Sequence, residues 1–120
     1  MHRYMLIFVA GMMLASVAAA QTRADVDAAV KCRGLVSAAA ATHRIQPDAA
    51  KAAGLPLPPS GLDIRYLMEI DRRAKAAKLP ESEVNTLLAS GVARVLANAD
   101  AMKAAAPDVQ RCIDEAPKRQ

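Results

Sequence analysis

Two kinds of hydrophobic pattern divide the chain. Residues 5–14 are apolar apart from a glycine, and they lie between a short basic start and a run of small residues that ends at Ala20. After that point, apolar residues recur at every third or fourth position, which is typical of amphipathic helices. No alternating β-branched run of useful length competes with this pattern. The chain is therefore predicted to be all-α.

The first twenty residues have the layout of a secretory signal peptide, with a basic start, a short apolar run and small residues at the end. Ala18 and Ala20 both offer suitable cleavage positions. A retained membrane anchor is the alternative, but the apolar run is shorter than the roughly 20 residues that cross a bilayer as a helix. We expect a signal peptide over 1–20 and a helical domain over 21–120. The mature protein is predicted to be periplasmic or secreted, with no stable membrane anchor after cleavage.

The mature domain is predicted to be a small antiparallel bundle of four or five helices. The first helix spans about 25–42, with Val26 and Val30 off its main apolar row. Either this helix is buried on two faces or its first turns pack separately. A short helix is predicted over 46–53, and the three prolines in 55–59 predict an extended connector.

The next helix is predicted to open with a capping box formed by Ser60 and Asp63 and to end near Lys78. The spacing of its aliphatic residues predicts an apolar side made of Ile64, Leu67, Met68 and Ala74.

The clearest helical periodicity runs from Val84 to Met102, and Glu81 and Glu83 precede it in the positions that favour a helix start. The pattern predicts one long helix there. Pro107 is then predicted to start a last short helix, with Cys112 on its apolar face.

The core is predicted to be thin. After residue 20 the chain has 23 alanines but only 20 valine, leucine and isoleucine residues. Alanine favours helices strongly but buries little apolar surface, so a domain of this size needs a further source of stability.

Cys32 and Cys112 can supply it as a disulfide that joins the first and last helices. A redox pair or a metal site is the alternative. Catalytic thiol pairs are usually close in sequence at a helix start, which these cysteines are not. A metal site would need further ligands, and His43 is the only histidine after residue 20. No metal or cofactor is expected.

Asp71 is the acidic residue with the most unusual predicted position, because helical spacing places it among the apolar residues of its helix. One hypothesis is a pH-sensitive acid whose protonation loosens the bundle. The other is a boundary residue paired with Lys75 or Lys78 one turn further on.

The same helix carries a possible basic contact face made of Arg65, Arg72 and Arg73. Without residues 1–20 the chain has fifteen basic and twelve acidic residues, a net charge of +3, so an anionic partner is conceivable. Glu69 lies within one turn of all three arginines and reduces the charge of the face. A solvated helix face is the alternative, and no nucleic-acid binding is expected.

No catalytic constellation is recognisable. None of the serines lies in a G-x-S-x-G turn, and His43 is the only histidine after residue 20 that could act as a base. Tyr66 is the only aromatic residue of the mature chain, which excludes stacking platforms. We therefore expect a protein that is not an enzyme.

Leu55 and Leu57 lie between prolines in the connector. They form either an exposed apolar tip for a partner or a cover over the core.

In size, predicted export and cysteine count, the chain resembles small periplasmic helical proteins with one disulfide, such as acid-stress chaperones and immunity proteins against secreted toxins. The leading hypothesis is a non-enzymatic module that binds another periplasmic or envelope protein. The alternatives are an acid- or stress-responsive chaperone and a small hydrolase or ligand carrier.

Overall fold

The computed structural model describes residues 2–90 and 94–118, with side chains described from Arg23 onward. Within these ranges the chain is helical and has no strand, which confirms the all-α prediction. The described part contains five helices: α1 (His2–Ile45), α2 (Pro47–Ala52), α3 (Leu62–Ala76), α4 (Glu81–Ala89) and α5 (Ala99–Asp114).

Helix α1 is the central element of the fold. Helices α2, α3 and α5 all pack against it, whereas α4 packs mainly on α3. The largest cluster of buried side chains joins α1, α3 and α5 and consists of Ala29, Cys32, Val36, Leu62, Tyr66, Ile70 and Cys112. A second cluster, which includes Ala39, Leu55, Met102 and Val109, joins α1 and α5 with the end of α2.

The predicted disulfide is confirmed. Cys32 and Cys112 are bonded across 80 positions of sequence, with their Cα atoms 5.4 Å apart, and the bond joins α1 to α5. Both residues belong to the largest buried cluster. The covalent link therefore lies inside the core, between the two helices that the sequence predicted it would join.

The first turns of the predicted domain contribute to a third buried cluster. Val26 is fully buried there with Ala74 and Val84, and Val30 packs against both this cluster and the largest one. The two clusters are therefore continuous through Val30.

All side chains of the predicted signal peptide, residues 1–20, lie outside the described part. Helix α1 is continuous from His2, so it begins well before the predicted start near residue 25. Among the described residues, no helix is both long and apolar enough to cross a membrane. Signal cleavage stays a prediction.

The short helix and the connector match their predictions. Helix α2 has its proline in the first turn, and Gly54 follows it with a φ of +72°, a left-handed conformation that glycine adopts without a steric penalty. The chain is then non-helical over 55–59.

The capping box predicted at Ser60 is wrong. The residue that precedes α3 is Gly61, with a φ of +82°, and no side chain caps the first turn. The helix therefore begins at a backbone turn that requires glycine, and the Ser60 hydroxyl is one position too early to act as its cap.

The long helix predicted over 81–102 is also wrong. Helix α4 ends at Ala89 because Ser90 takes an extended conformation, and residues 94–97 are not helical. Helix α5 then begins at Ala99, where the Asn98 side chain accepts a hydrogen bond of 2.8 Å from the Ala101 amide. Residues 91–93 lie outside the described part of the chain.

Two side chains of α1 hold the break between α4 and α5. Arg33 donates to the carbonyl oxygens of Leu88 (2.5 Å) and Ser90 (3.1 Å), which have no partner within their own helix. The buried hydroxyl of Thr42 accepts a hydrogen bond of 2.9 Å from the Leu96 amide. Leu88, Ser90 and Leu96 thus gain from α1 backbone partners that a continuous helix would have supplied.

The prediction that Pro107 starts the last helix is wrong, because Pro107 lies inside α5. A proline in a helix interior costs roughly 3 kcal/mol. Met102, before the proline, and Val109 and Cys112, after it, are all fully buried. The burial of these side chains and the disulfide offset that cost, so α5 continues through the proline as one helix.

Candidate functional site

Helix α3 has an inner face that differs from the predicted one. Leu62, Tyr66, Ile70 and Ala74 are buried against α1 and α4, whereas Ile64 and Met68 point into solvent. The prediction that Ile64, Leu67 and Met68 form the core side of α3 is therefore wrong, although Ala74 was placed correctly. Both rows follow helical spacing, and the row that contains the tyrosine is the one that is buried.

Tyr66 belongs to the row of α3 that is buried, and its size and hydrogen bond favour the burial of that row. Its ring is buried in the largest cluster, and its hydroxyl donates a hydrogen bond to the Cys112 carbonyl oxygen. Burial, followed by the charge of Glu115, raises the pKa of Tyr66, so the hydroxyl stays protonated. An aromatic ring buries more apolar area than any aliphatic side chain on this helix, provided that its polar end finds a partner.

Glu69 is the one buried acidic side chain among the described residues, and it organises two of the three arginines of the predicted contact face. It accepts hydrogen bonds from Nε of Arg72 at 3.1 Å and Nε of Arg73 at 2.8 Å. The hydrogen bond from Arg72 is the main reason why the pKa of Glu69 is lowered. Arg73 also donates to the Asp25 carbonyl oxygen at 2.7 Å, which ties α3 to α1.

The predicted basic face of Arg65, Arg72 and Arg73 is therefore not a set of three free cations. Arg73 is half-buried and serves the contact between α3 and α1. Arg65 donates to the Pro117 carbonyl oxygen at 3.3 Å and holds the segment after α5 beside α3. Arg72 remains 57% exposed while it pairs with Glu69.

Asp71 lies at the edge of the outer face, and its carboxylate accepts a hydrogen bond of 2.9 Å from Lys75. The side chains are 39% and 71% exposed, respectively. This geometry is that of a surface ion pair one helical turn apart, the second of the two arrangements considered for Asp71. Such pairs contribute at most about 1 kcal/mol.

The outer face of α3 carries an exposed apolar row. Ile64 and Met68 are 58% and 61% exposed and lie one helical turn apart. Beside this row is a groove of about 650 Å³, to which α3 contributes Leu67 and Met68, α4 contributes Leu88, and the segment after α5 contributes Pro117. We call this depression the α3 groove. Apolar side chains gathered on one surface are typical of sites that contact another molecule.

The two connector leucines differ in burial. Leu55 is buried in the second cluster and covers the core, whereas Leu57 is 65% exposed. His43 reaches the connector, with its Nε2 atom 2.6 Å from the Leu55 carbonyl oxygen, and thereby fixes the chain where it leaves α2. Among the described residues, no group of three or more histidine, cysteine, aspartate or glutamate side chains is arranged to hold a metal ion.

The sequence analysis missed the structural roles of Arg33 and Thr42. Both lie within the predicted first helix, but their partners are backbone groups more than 50 positions away, at Leu88, Ser90 and Leu96. The buried position of Thr42 gives a partial signal, since a hydroxyl placed near a helix's apolar face needs a partner. Nothing in the local pattern identifies that partner.

Comparison of the chain with known families, with curated proteins and with solved structures finds no match. Hypotheses about its function therefore depend on the surfaces described above.

Proposed function

We propose that this chain is an exported, non-enzymatic protein-binding module and that the outer face of α3 is its contact surface. The observation that carries the proposal is the exposure of Ile64 and Met68 on one helix of a domain with few large apolar side chains. A thin core gains stability from every aliphatic residue that it buries. Of the four large apolar side chains that are exposed in the described part, Ile64 and Met68 are the two that share one helix, one turn apart and beside a groove, which favours a role in contact with a partner.

The neighbouring groove strengthens the proposal because it adds Leu67 and Leu88 to the apolar row. The exposed row and the groove are both supported by a rigid base, since the inner face of α3 packs on α1 and is held by Tyr66 and Glu69. A surface that is already ordered loses little conformational entropy on binding.

The test is affinity capture from the envelope fraction of the protein's own cells, with the full-length sequence as the expressed bait. The double variant Ile64→Ser/Met68→Ser removes the exposed row. Ile45→Ser/Leu57→Ser is a matched control, because Ile45 and Leu57 are equally exposed, at 62% and 65%, and lie elsewhere. We expect the same protein to be recovered with the wild type and the control and lost with the first variant. Equal recovery with both variants would contradict the proposed surface.

Export is part of the proposal, and the Cys32–Cys112 disulfide is compatible with an oxidising compartment. Intact-mass measurement of the protein from fractionated cells tests it. We expect an envelope or extracellular protein that begins at Gln21, or at Ala19 if cleavage follows Ala18. A cytoplasmic protein that retains residues 1–20 would contradict export.

An acid-responsive chaperone is the second candidate, and the position of Glu69 is the observation that favours it. Protonation of this buried carboxyl would release Arg72 and Arg73 and weaken the contact of α3 with α1. Prevention of aggregation of a denatured client at pH 3, but not at pH 7, would support this function. Equal protection at both pH values would argue against it.

A further inference from the structure

We infer that the α3 groove binds an acidic amphipathic segment of another protein. This inference rests on the proposed function and names the chemistry of its partner. Two observations carry it: the apolar floor of the groove and the charge of the side chains around that floor.

The floor is formed by aliphatic side chains from three parts of the chain. Leu67 and Met68 come from α3, Leu88 comes from α4, and Pro117 follows α5. Arg65 fixes Pro117 in this position through its hydrogen bond to the carbonyl oxygen. An occupant must therefore present apolar side chains on one face.

The rim of the groove carries more positive than negative charge. Its basic residues are Arg65, Arg72, Lys75 and Lys118, and its acidic residues are Glu69 and Asp71, four against two. Glu69 is buried and paired with Arg72 and Arg73, and Asp71 is paired with Lys75, so Arg65 and Lys118 supply the excess positive charge. Lys75 and Lys118 are exposed, and Lys75 is paired with Asp71. Carboxylates beside the apolar face of the occupant complement this rim.

The shape of the groove favours a protein segment over a lipid surface. Leu67, Leu88 and Pro117 are half-buried, so part of the apolar lining is recessed from the surface. A helix can place a narrow apolar stripe into such a groove and keep its charged residues at the edges, which is a common mode of peptide recognition. A flat bilayer surface would touch the exposed Met68 but would reach less of the half-buried Leu67, Leu88 and Pro117.

Binding is measured with the protein produced from its full-length sequence and purified with its disulfide intact. The probe is a synthetic amphipathic helix with leucines along one face and glutamates on its flanks. A second peptide with lysines in place of the glutamates and vesicles of phosphatidylglycerol are the comparisons. We expect the acidic peptide to bind about tenfold more tightly than the basic one, and its binding to weaken as salt is added.

Charge reversal at the rim tests the location. In Lys75→Glu/Lys118→Glu, we expect binding of the acidic peptide to weaken about five- to tenfold, because two attractive rim charges become repulsive. Lys31→Glu/Lys103→Glu is the control, since it changes the net charge equally at exposed positions outside the lining of the groove. We expect its affinity to stay within about twofold of the wild type.

Three results would overturn the inference. They are equal binding of the two peptides, equal weakening of binding by the two double variants, and binding to vesicles without binding to the acidic peptide. Its failure can be told apart from failure of the proposed function. If Ile64→Ser/Met68→Ser abolishes capture of the native partner while Lys75→Glu/Lys118→Glu leaves it intact, the proposed contact surface is supported. The inference that the partner is acidic is then contradicted. If neither variant changes capture, the proposed surface itself fails.

Discussion

The hydroxyl of Tyr66 donates a hydrogen bond to the backbone carbonyl of Cys112, the residue whose sulfur is bonded to Cys32. This one relationship joins the three helices of the largest buried cluster, because Tyr66 belongs to α3, Cys112 to α5 and Cys32 to α1. It also decides which side of α3 faces the core. The outer side, with Ile64 and Met68, is exposed as a consequence.

Replacing Tyr66 with phenylalanine removes the hydroxyl and keeps the ring. We expect the free energy of unfolding to fall by about 1–2 kcal/mol, since a buried carbonyl loses its side-chain partner. Urea denaturation followed by circular dichroism measures the change. Thr86→Ala is the control, because its exposed hydroxyl bonds only within its own helix, and it should change stability by less than about 0.5 kcal/mol. Equal effects of the two substitutions would show that the Tyr66 contact contributes nothing specific.

Removal of the disulfide is expected to destabilise the domain strongly. A link that closes a loop of 80 residues stabilises the folded state by about 4.5 kcal/mol on the chain-entropy estimate. That is comparable with the whole stability of a small domain. Thermal unfolding of Cys32→Ala/Cys112→Ala should show a large loss of the melting temperature, or no cooperative transition. A variant that melts within a few degrees of the wild type would contradict a thin core that depends on its covalent link.

The acid side of the stability curve should depend on Glu69. The pKa of Glu69 is lowered in the folded state, so its contribution is present above the ordinary value of 4.5 and is lost as the pH falls through the lowered pKa. We expect Glu69→Gln to reduce the free energy of unfolding at neutral pH by about 1–3 kcal/mol. We also expect the free energy of unfolding of this variant to fall less steeply as the pH is lowered.

Asp71→Asn is the control for Glu69→Gln and also tests the acid that the sequence singled out. Its carboxylate is exposed and paired with an exposed lysine. We expect stability to change by less than about 1 kcal/mol and the acid decline to persist. If Asp71→Asn flattens the curve and Glu69→Gln does not, the pH-sensitive acid is Asp71, as the first of the two sequence hypotheses held.

Arg33 is expected to control the end of α4. In Arg33→Ala, the carbonyl oxygens of Leu88 and Ser90 lose their donor, so the last turn of α4 should open more often. Hydrogen exchange resolved by residue should become faster at the amides of the last turn of α4 and of Ser90, and should change little in α2. Exchange that is unchanged in both regions would show that α4 ends independently of α1.

The elements that the sequence predicted correctly are those set by local chemistry. Pro47 and Gly54 bracket α2, and the prolines of 55–59 keep the connector out of a helix. The disulfide followed from an even pair of cysteines on apolar faces. In each case the residue itself restricts the backbone or forms the bond.

The errors lie where two local patterns compete and a distant contact decides. α3 has two rows of apolar residues, and the buried one contains Tyr66, whose partner Cys112 is distant in sequence. The periodicity of 84–102 continues through a break that depends on Arg33 and Thr42 of α1. Asn98 was the available signal for a new helix start, because asparagine is a preferred N-cap. The exposed row of the candidate site could not be predicted, since the same spacing is also typical of a buried face.

Site-specific photo-crosslinking tests the central claim, that the outer face of α3 contacts another protein. The photoreactive residue is placed at position 68 of the protein in its own cells and, in a separate strain, at position 57, which is equally exposed. We predict one discrete heavier product from position 68 and none from position 57. An equally strong product from position 57, or no product from position 68, would contradict the account.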